Sequence, residues 1–414
     1  MTFTLTFISL VLASTLIRLW LAGRHVRHVQ QHREQVPVAF DQHIALDAHQ
    51  KAADYTVAKS KLGLTEGLVQ AALLLALTLG GGLQNIDNYW QTLLADHAIL
   101  RGAAVICSAM LLTSLIDLPF DYYKTFVIDE KFGFNKMTLP MFVSDLIKHS
   151  LLGLTLGGPI LIVALWLMQS AGEYWWLYLW LVWSAFNLIM LAVYPSFIAP
   201  LFNKFSPLQD DHLKKRIELL LTKCGFKSQG LFVMDGSSRS SHGNAYFTGF
   251  GASKRVVFFD TLLARLNTDE IEAVLAHELG HFKHHHVIKR IVMLFSVSFL
   301  GLALLGWLMQ QPWFYSGLGV DTASTYMALL LFLLVSPVFL FLLRPCMASY
   351  SRKNEFEADA YAAKQAQAKD LISALVKLYR DNAATLTPDP LHSAFYDSHP
   401  PASIRIAKLS AYAG

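Results

Sequence analysis

Charged side chains are sparse in this 414-residue sequence, only 15% of the total, whereas soluble domains run near a quarter. Length alone suggests two or three soluble domains, and the scarcity of charge argues against that reading. Cysteine is scarcer still. Cys107, Cys224 and Cys346 are the only three and lie far apart, which excludes a disulfide scaffold. The net charge of +4 is small and scattered, so it gives no reason to expect a nucleic-acid partner. Internal repeats and low-complexity segments are missing as well. What is abundant is apolar: 54% of residues are hydrophobic, which excludes a disordered chain. Leu, Ala, Phe and Trp gather in long runs, the mark of a membrane protein.

About 20 apolar residues cross a hydrocarbon core as a helix. Seven runs qualify: Phe3–Ala22, Gly67–Leu83, Ala103–Phe120, Leu151–Met168, Trp175–Tyr194, Ile291–Met309 and Tyr326–Leu343. The first has no Lys or Arg before Arg18, and its charges (Arg24, Arg27, Arg33) follow it. It therefore reads as a retained anchor with its N-terminus outside. The first connection adds Lys51, Lys59 and Lys61, and the third carries Lys124, Lys131, Lys136 and Lys148. The second has only Arg101 at its edge, and the fourth and sixth have no basic residue. This alternation predicts a cytosolic C-terminus. The expected organisation is spans one to five with basic loops (1–199), a cytosolic loop (200–289), spans six and seven (290–343) and a cytosolic tail (344–414).

The loop at 200–289 carries the chemistry. Asn267 and Glu270 have capping-box spacing and open a helix, with Ile271, Val274, Leu275 and Leu279 as its apolar face. His277-Glu278-Leu279-Gly280-His281 lies on it. Residues four apart share a helix face, so both imidazoles reach one ion. This H-E-x-x-H arrangement is that of zinc peptidases, with Glu278 placed as general base. A catalytic zinc needs a third protein ligand. After span seven, Glu355 and Asp359 share a helix face while Glu357 points elsewhere. His281 and Glu355 stand ten and twelve residues from the membrane ends of their spans, hence at similar heights of roughly 15 and 18 Å above one membrane face. Glu355 is the expected ligand, and Asp359 the acceptor for a ligating ring's outer N–H. His284, His285 and His286 are too many for one ion and read as a solvated segment.

Strands are expected at Leu231–Asp235, Asn244–Phe250 and, after a Gly-Ala-Ser-Lys turn, Arg255–Phe259. A small sheet beside the metal helix offers an edge for an extended peptide. Asn244 and Ala245 are candidates for its backbone contacts, and a purely structural hairpin fits the pattern equally. Near the end, His399 and Arg405 are candidates to steady an oxyanion or hold a substrate carboxylate.

Together these segments resemble the type I CAAX prenyl proteases, integral-membrane zinc metalloproteases. The resemblance rests on Leu118–Asn135, Pro200–Phe205, Asp235–Tyr246, His277–His281, Ser351–Asp359 and Ser398–Pro401, and covers most of the chain. It implies a mainly α fold of seven membrane helices around a water-filled chamber, with a cytosolic zincin-like region containing a small sheet. It further implies one Zn²⁺ on His277, His281 and Glu355, with Glu278 as base. Asn244 and Ala245 would lie along the substrate strand, and His399 and Arg405 near the reacting carbonyl. The implied partners are the lipid bilayer and a peptide or protein substrate that is prenylated or membrane-associated. The compact chain and its Ala-Tyr-Ala-Gly tail, without a retention signal, favour a bacterial inner membrane over the endoplasmic reticulum. Three other functions compete with this one, of which a non-catalytic scaffold is disfavoured by the intact H-E-x-x-H. Another is quality-control proteolysis of unlipidated membrane proteins. The third is metal transport, against which the ligand cluster lies outside the spans.

Overall fold

A computed structural model describes residues 1–248 and 254–412. Among the described residues, seven helical segments are long and apolar enough to cross a membrane: Thr2–Gln31, Leu46–Leu77, Ala98–Asp129, Leu139–Ser170, Gly172–Leu201, His286–Leu308 and Thr325–Gln365. Each expected span falls on one of them, but the helices run longer than their apolar runs. The second is the main correction. It begins at Leu46, inside what reads as the first basic loop, and ends at Leu77 instead of Leu83. Its first turns carry a polar, Ala-rich sequence that is helical without being apolar, so hydropathy reports only the membrane-deep part. Gly81, at φ 74°, then breaks the chain in the left-handed region before a short helix, Gly82–Leu93.

One apolar core joins the far ends of the spans. It holds Phe7 and Val11 of the first, Leu77 of the second, Val105, Ile106 and Ala109 of the third, Leu165 and Met168 of the fourth, Trp175 and Leu179 of the fifth, Leu305 of the sixth, and Tyr326–Leu331 of the seventh. Packing there is tight. A Cβ on Gly102 would lie 2.6 Å from the Tyr326 side chain, whose hydroxyl donates to Asp87 at 2.6 Å. The most apolar stretch of the second span, and that of the fifth, is only 6% buried, so few of its side chains enter this core. Smaller clusters join the first and second spans (Val29, Ala53, Val57) and the second and third (Ala52, Tyr55, Ile128) towards the other end, and a cavity of about 450 Å³ lies between the first, second, third and seventh spans.

A second apolar core caps the opposite end. It is built on a four-stranded sheet of order β1-β2-β4-β3: β1 Phe205–Pro207, β2 Leu231–Met234, β3 Ala245–Thr248 and β4 Arg255–Phe259. β2 and β4 are parallel, and the outer pairs are antiparallel. Three strands fall where the alternation puts them. β1 was not anticipated, being three residues ending in a proline, which only an edge accepts. The expected end of the β3 strand (Gly249, Phe250) and most of the Gly-Ala-Ser-Lys turn lie outside the described residues. Against this sheet pack the helix Thr268–Lys283, which carries His277–His281, and the tail helices, through Ile271, Leu275, Ala276, Leu279, Ala362, Leu371 and Leu409. The third connection ties this cap to the spans. Lys136 N–H donates to the Arg239 carbonyl, and the Arg239 guanidinium grips Asp145 of the fourth span through two hydrogen bonds, 2.9 and 3.1 Å.

Candidate metal centre and peptide edge

The capping box forms as expected. Asn267 Oδ1 accepts from the Glu270 N–H at 2.9 Å, and Glu270 Oε2 from the Asn267 N–H at 2.8 Å. The Glu270 carboxylate is itself buried, and Lys377 and Ser373 hold it at 2.7 Å each. The helix start is thus fixed to the tail, and with it the phase of His277 and His281.

The tail helix Arg344–Gln365 crosses this helix at Gly280. A Cβ there would come within 2.8 Å of Ala358 Cα. The missing side chain lets two backbones approach closely enough for Glu355 to reach both imidazoles. His277 Nε2 and His281 Nε2 lie 3.3 Å apart, and each is 3.4 Å from a Glu355 oxygen. Four ligands at about 2.0–2.1 Å around tetrahedral zinc are separated by edges of roughly 3.3 Å, so the three groups already have the required spacing. Glu355 Oε2 is buried without a hydrogen-bond partner. His277 Nε2 at 3.4 Å and Arg405 Nη1 at 3.7 Å stand beside it without closing to good hydrogen-bond distance, and two facing imidazole nitrogens gain nothing from each other. A cation between them satisfies all three groups.

The outer atoms are held too. Asp359 Oδ1 is 2.8 Å from His277 Nδ1, leaving Nε2 as the free lone pair. Arg405 differs from the expected substrate-facing guanidinium: it is buried and makes two hydrogen bonds to Asp359, at 2.8 and 2.5 Å. With its planar fork occupied in this way, it orients the carboxylate instead of reaching outwards. Burial lowers the His277 pKa, but the hydrogen bonds with Asp359 and Glu355 outweigh it and raise the imidazole to about 9 when no ion is bound.

Glu278 is only half-buried on the open side of its helix. His399 is 62% exposed, with Nε2 3.5 Å from Glu355 Oε1 and Nδ1 paired with the Ser398 hydroxyl at 3.0 Å. Arg352 lies over the carbonyls of Ser393 and Asp397 instead of pairing with Glu355. His286 departs from the solvated reading: it is buried, between His281 and Glu357. Spacing on one helix could not reveal it, because His286 belongs to the next one.

β3 is an edge strand. Asn244 C=O accepts from the Phe259 N–H, so by alternation Ala245 turns its carbonyl to the free edge. The Ala245 N–H is engaged by Asn244 Oδ1 at 2.8 Å. Asn382 Oδ1 anchors the strand's entrance by accepting from the Gly243 N–H at 3.0 Å.

Seven helices long enough to span a membrane and a buried histidine-histidine-glutamate cluster with zinc spacing, on an H-E-x-x-H helix, point to a multi-pass membrane zinc metalloprotease. The comparisons narrow the class. Residues 25–204 match the family described as CAAX prenyl protease N-terminal, five membrane helices, and residues 207–413 match peptidase family M48. The chain is 40% identical over 315 residues to CAAX prenyl protease 1 homolog of Arabidopsis thaliana, covering 76% of this chain and 74% of that one. It is 32% identical over 457 residues to the Homo sapiens homolog, covering 97% and 95%. The crystal structure of S. mikatae Ste24p superposes with a TM-score of 0.91 at 32% identity, covering 99% of both chains. The protein belongs to peptidase family M48, among relatives of CAAX prenyl protease 1.

Proposed function

We propose that this protein removes C-terminal residues from isoprenylated peptides at the cytosolic face of the membrane. His277, His281 and Glu355 are its zinc ligands and Glu278 is its general base. The reading rests on the ligand spacing of 3.3–3.4 Å around an orphaned carboxylate oxygen. Bound zinc supplies Lewis acidity, which acidifies the attacking water and polarises the scissile carbonyl. The chain's residues do the rest. Glu278 takes the proton from the water and passes it to the leaving amine. His399, exposed at the rim, offers an N–H to the developing oxyanion. The peptide runs extended along β3 and pairs with Ala245, while Asn244 shapes that edge. Asp359, held by Arg405, keeps His277 in the tautomer that presents Nε2.

An isoprenoid substrate matches the CAAX prenyl protease relatives, and the apolar part of the wall of the cavity between the spans, Leu74, Leu77, Leu334 and Val338 among it, suits a lipid chain. The basic loops orient the N-terminus outwards and put the metal site in the cytosol. We favour a bacterial inner membrane over the endoplasmic reticulum as its location, and reporter fusions at the two termini test the orientation.

The deciding experiment is hydrolysis of a farnesylated C-terminal peptide beside its unlipidated twin, with and without a zinc chelator. Chelator-sensitive cleavage of the lipidated peptide alone supports the proposal. Equal cleavage of both removes the lipid requirement, and no cleavage of either by zinc-loaded protein overturns the substrate class. Glu278→Gln should retain zinc and lose activity by about 10²–10⁴-fold, the range for a lost general base. Normal turnover in that variant would exclude Glu278 as the base.

A further inference from the structure

His281 has a neighbour that the ligand pattern does not include. With Nε2 turned to the ion, its outer nitrogen is Nδ1, which lies 2.9 Å from Nδ1 of His286. The other ring nitrogen of His286, Nε2, lies 3.1 Å from Glu357 Oε2. His286 is 6% exposed, and Lys353 stands 4.0 Å from the far oxygen of Glu357. The chain makes this meeting possible at His285, which turns through the left-handed region (φ 57°) between the metal helix and the sixth span. That single residue folds His286 back beneath His281.

Hydrogen bonding allows one consistent assignment of protons for neutral rings. An imidazole that gives its Nε2 lone pair to a metal carries its proton on Nδ1. The His281 Nδ1–H must donate, so His286 Nδ1 accepts. A neutral His286 then carries its proton on Nε2, where the Glu357 carboxylate takes it. Each nitrogen has one role. His286 is therefore excluded as a ligand, since its inward nitrogen is occupied by the back of one. The arrangement mirrors the other side of the centre, where Asp359 meets His277 directly.

We propose that His286 and Glu357 are positioning residues for zinc: a hydrogen-bonded arm that fixes the tautomer and ring orientation of His281. The inference rests on the zinc-ligand reading above. Removing such an outer partner costs about 10–100-fold in metal affinity.

The test uses the full-length protein in detergent, with zinc titrated against a chelator of known affinity and Co²⁺ as a spectroscopic probe. His286→Phe fills the space and removes both nitrogens; it should weaken zinc by about 10–100-fold and alter the Co²⁺ ligand-field bands. His286→Asn keeps an acceptor where Nδ1 stood and should recover most of the affinity. If His286→Phe binds zinc as tightly as wild type, or if Asn is no better than Phe, the arm does not exist. Should His286→Phe fail to fold, Glu357 decides. Glu357→Ala should lose affinity and Glu357→Gln, which still accepts from Nε2–H, should keep it; equal affinity in all three proteins overturns the proposal. Wild-type protein that binds no zinc would instead sink the ligand assignment itself, which separates the two failures.

Discussion

At the scale of single residues, the centre is a contest between a proton and a metal ion for one lone pair. Without the ion His277 holds its proton up to about pH 9, because Asp359 and Glu355 outweigh its burial. Zinc needs the neutral ring, so each ion bound below that pH releases a proton. The sign follows: apparent affinity should fall about tenfold for each pH unit below 9 and level off above it. Chelator competition across that range checks it, and a flat profile would mean that His277 is not a ligand. The sequence made this cluster legible because a four-residue spacing on one helix is a geometric statement. Arg405 and His286 were not legible in the same way. Their roles arise where separate helices meet, Arg405 far along the chain and His286 across a turn from the metal helix, and no period within one segment encodes such a meeting. The guanidinium beside Glu355 comes from fifty residues further on, with Arg405 Nη1 at 3.7 Å.

At the scale of elements, the site depends on how closely two helices pass. Gly280 is the only position of the H-E-x-x-H run without a side chain, and the tail helix lies against it. Gly280→Ala tests this. Alanine favours a helix over glycine by about 1 kcal/mol, whereas overpacking a tight contact costs about 1–3 kcal/mol. The added Cβ would meet backbone at 2.8 Å, which cannot rotate away, so overpacking should win. The expected outcome is a lower Tm and weaker zinc binding, because Glu355 moves away with its helix. A Tm equal to or above wild type would show that the helices separate freely. Spans were legible from the length of their apolar runs and strands from their alternation. Their limits were less so. The second span begins twenty-one residues before its apolar run, since a helix continues wherever its backbone bonds are met, with or without lipid around it. β1 escaped because three residues are too few for alternation to register.

At the scale of the whole molecule, the two largest apolar cores hold opposite ends of the chain's helices. Between them lies a cavity of about 450 Å³ whose wall is mixed: Ser14, Arg18, Glu66, Gln70 and Thr113 interrupt an otherwise apolar lining that includes Leu74 and Leu334. Gln70 is hydrogen-bonded to Asp117 there. Polar groups in a span are costly against lipid and are found facing a bundle interior or water, so we expect water in this cavity. Labelling decides the point. In protein with Cys107, Cys224 and Cys346 replaced, a single cysteine at Thr113 should react with a small charged maleimide, because water reaches it and a thiol must ionise to attack. Cysteine at Leu111, which is 60% exposed and faces outwards to lipid in this reading, should resist the same reagent in bilayers. In vesicles of one orientation the Thr113 site should react from the metal-site face, since the opposite end is sealed by the core around Tyr326. Opening that seal by Tyr326→Ala, which also orphans the Asp87 carboxylate, should admit reagent from the other side. Equal reactivity of the two cysteines would mean that the space between the helices is filled with lipid, and a peptide would then have to reach the zinc along the sheet edge without passing through water in the membrane.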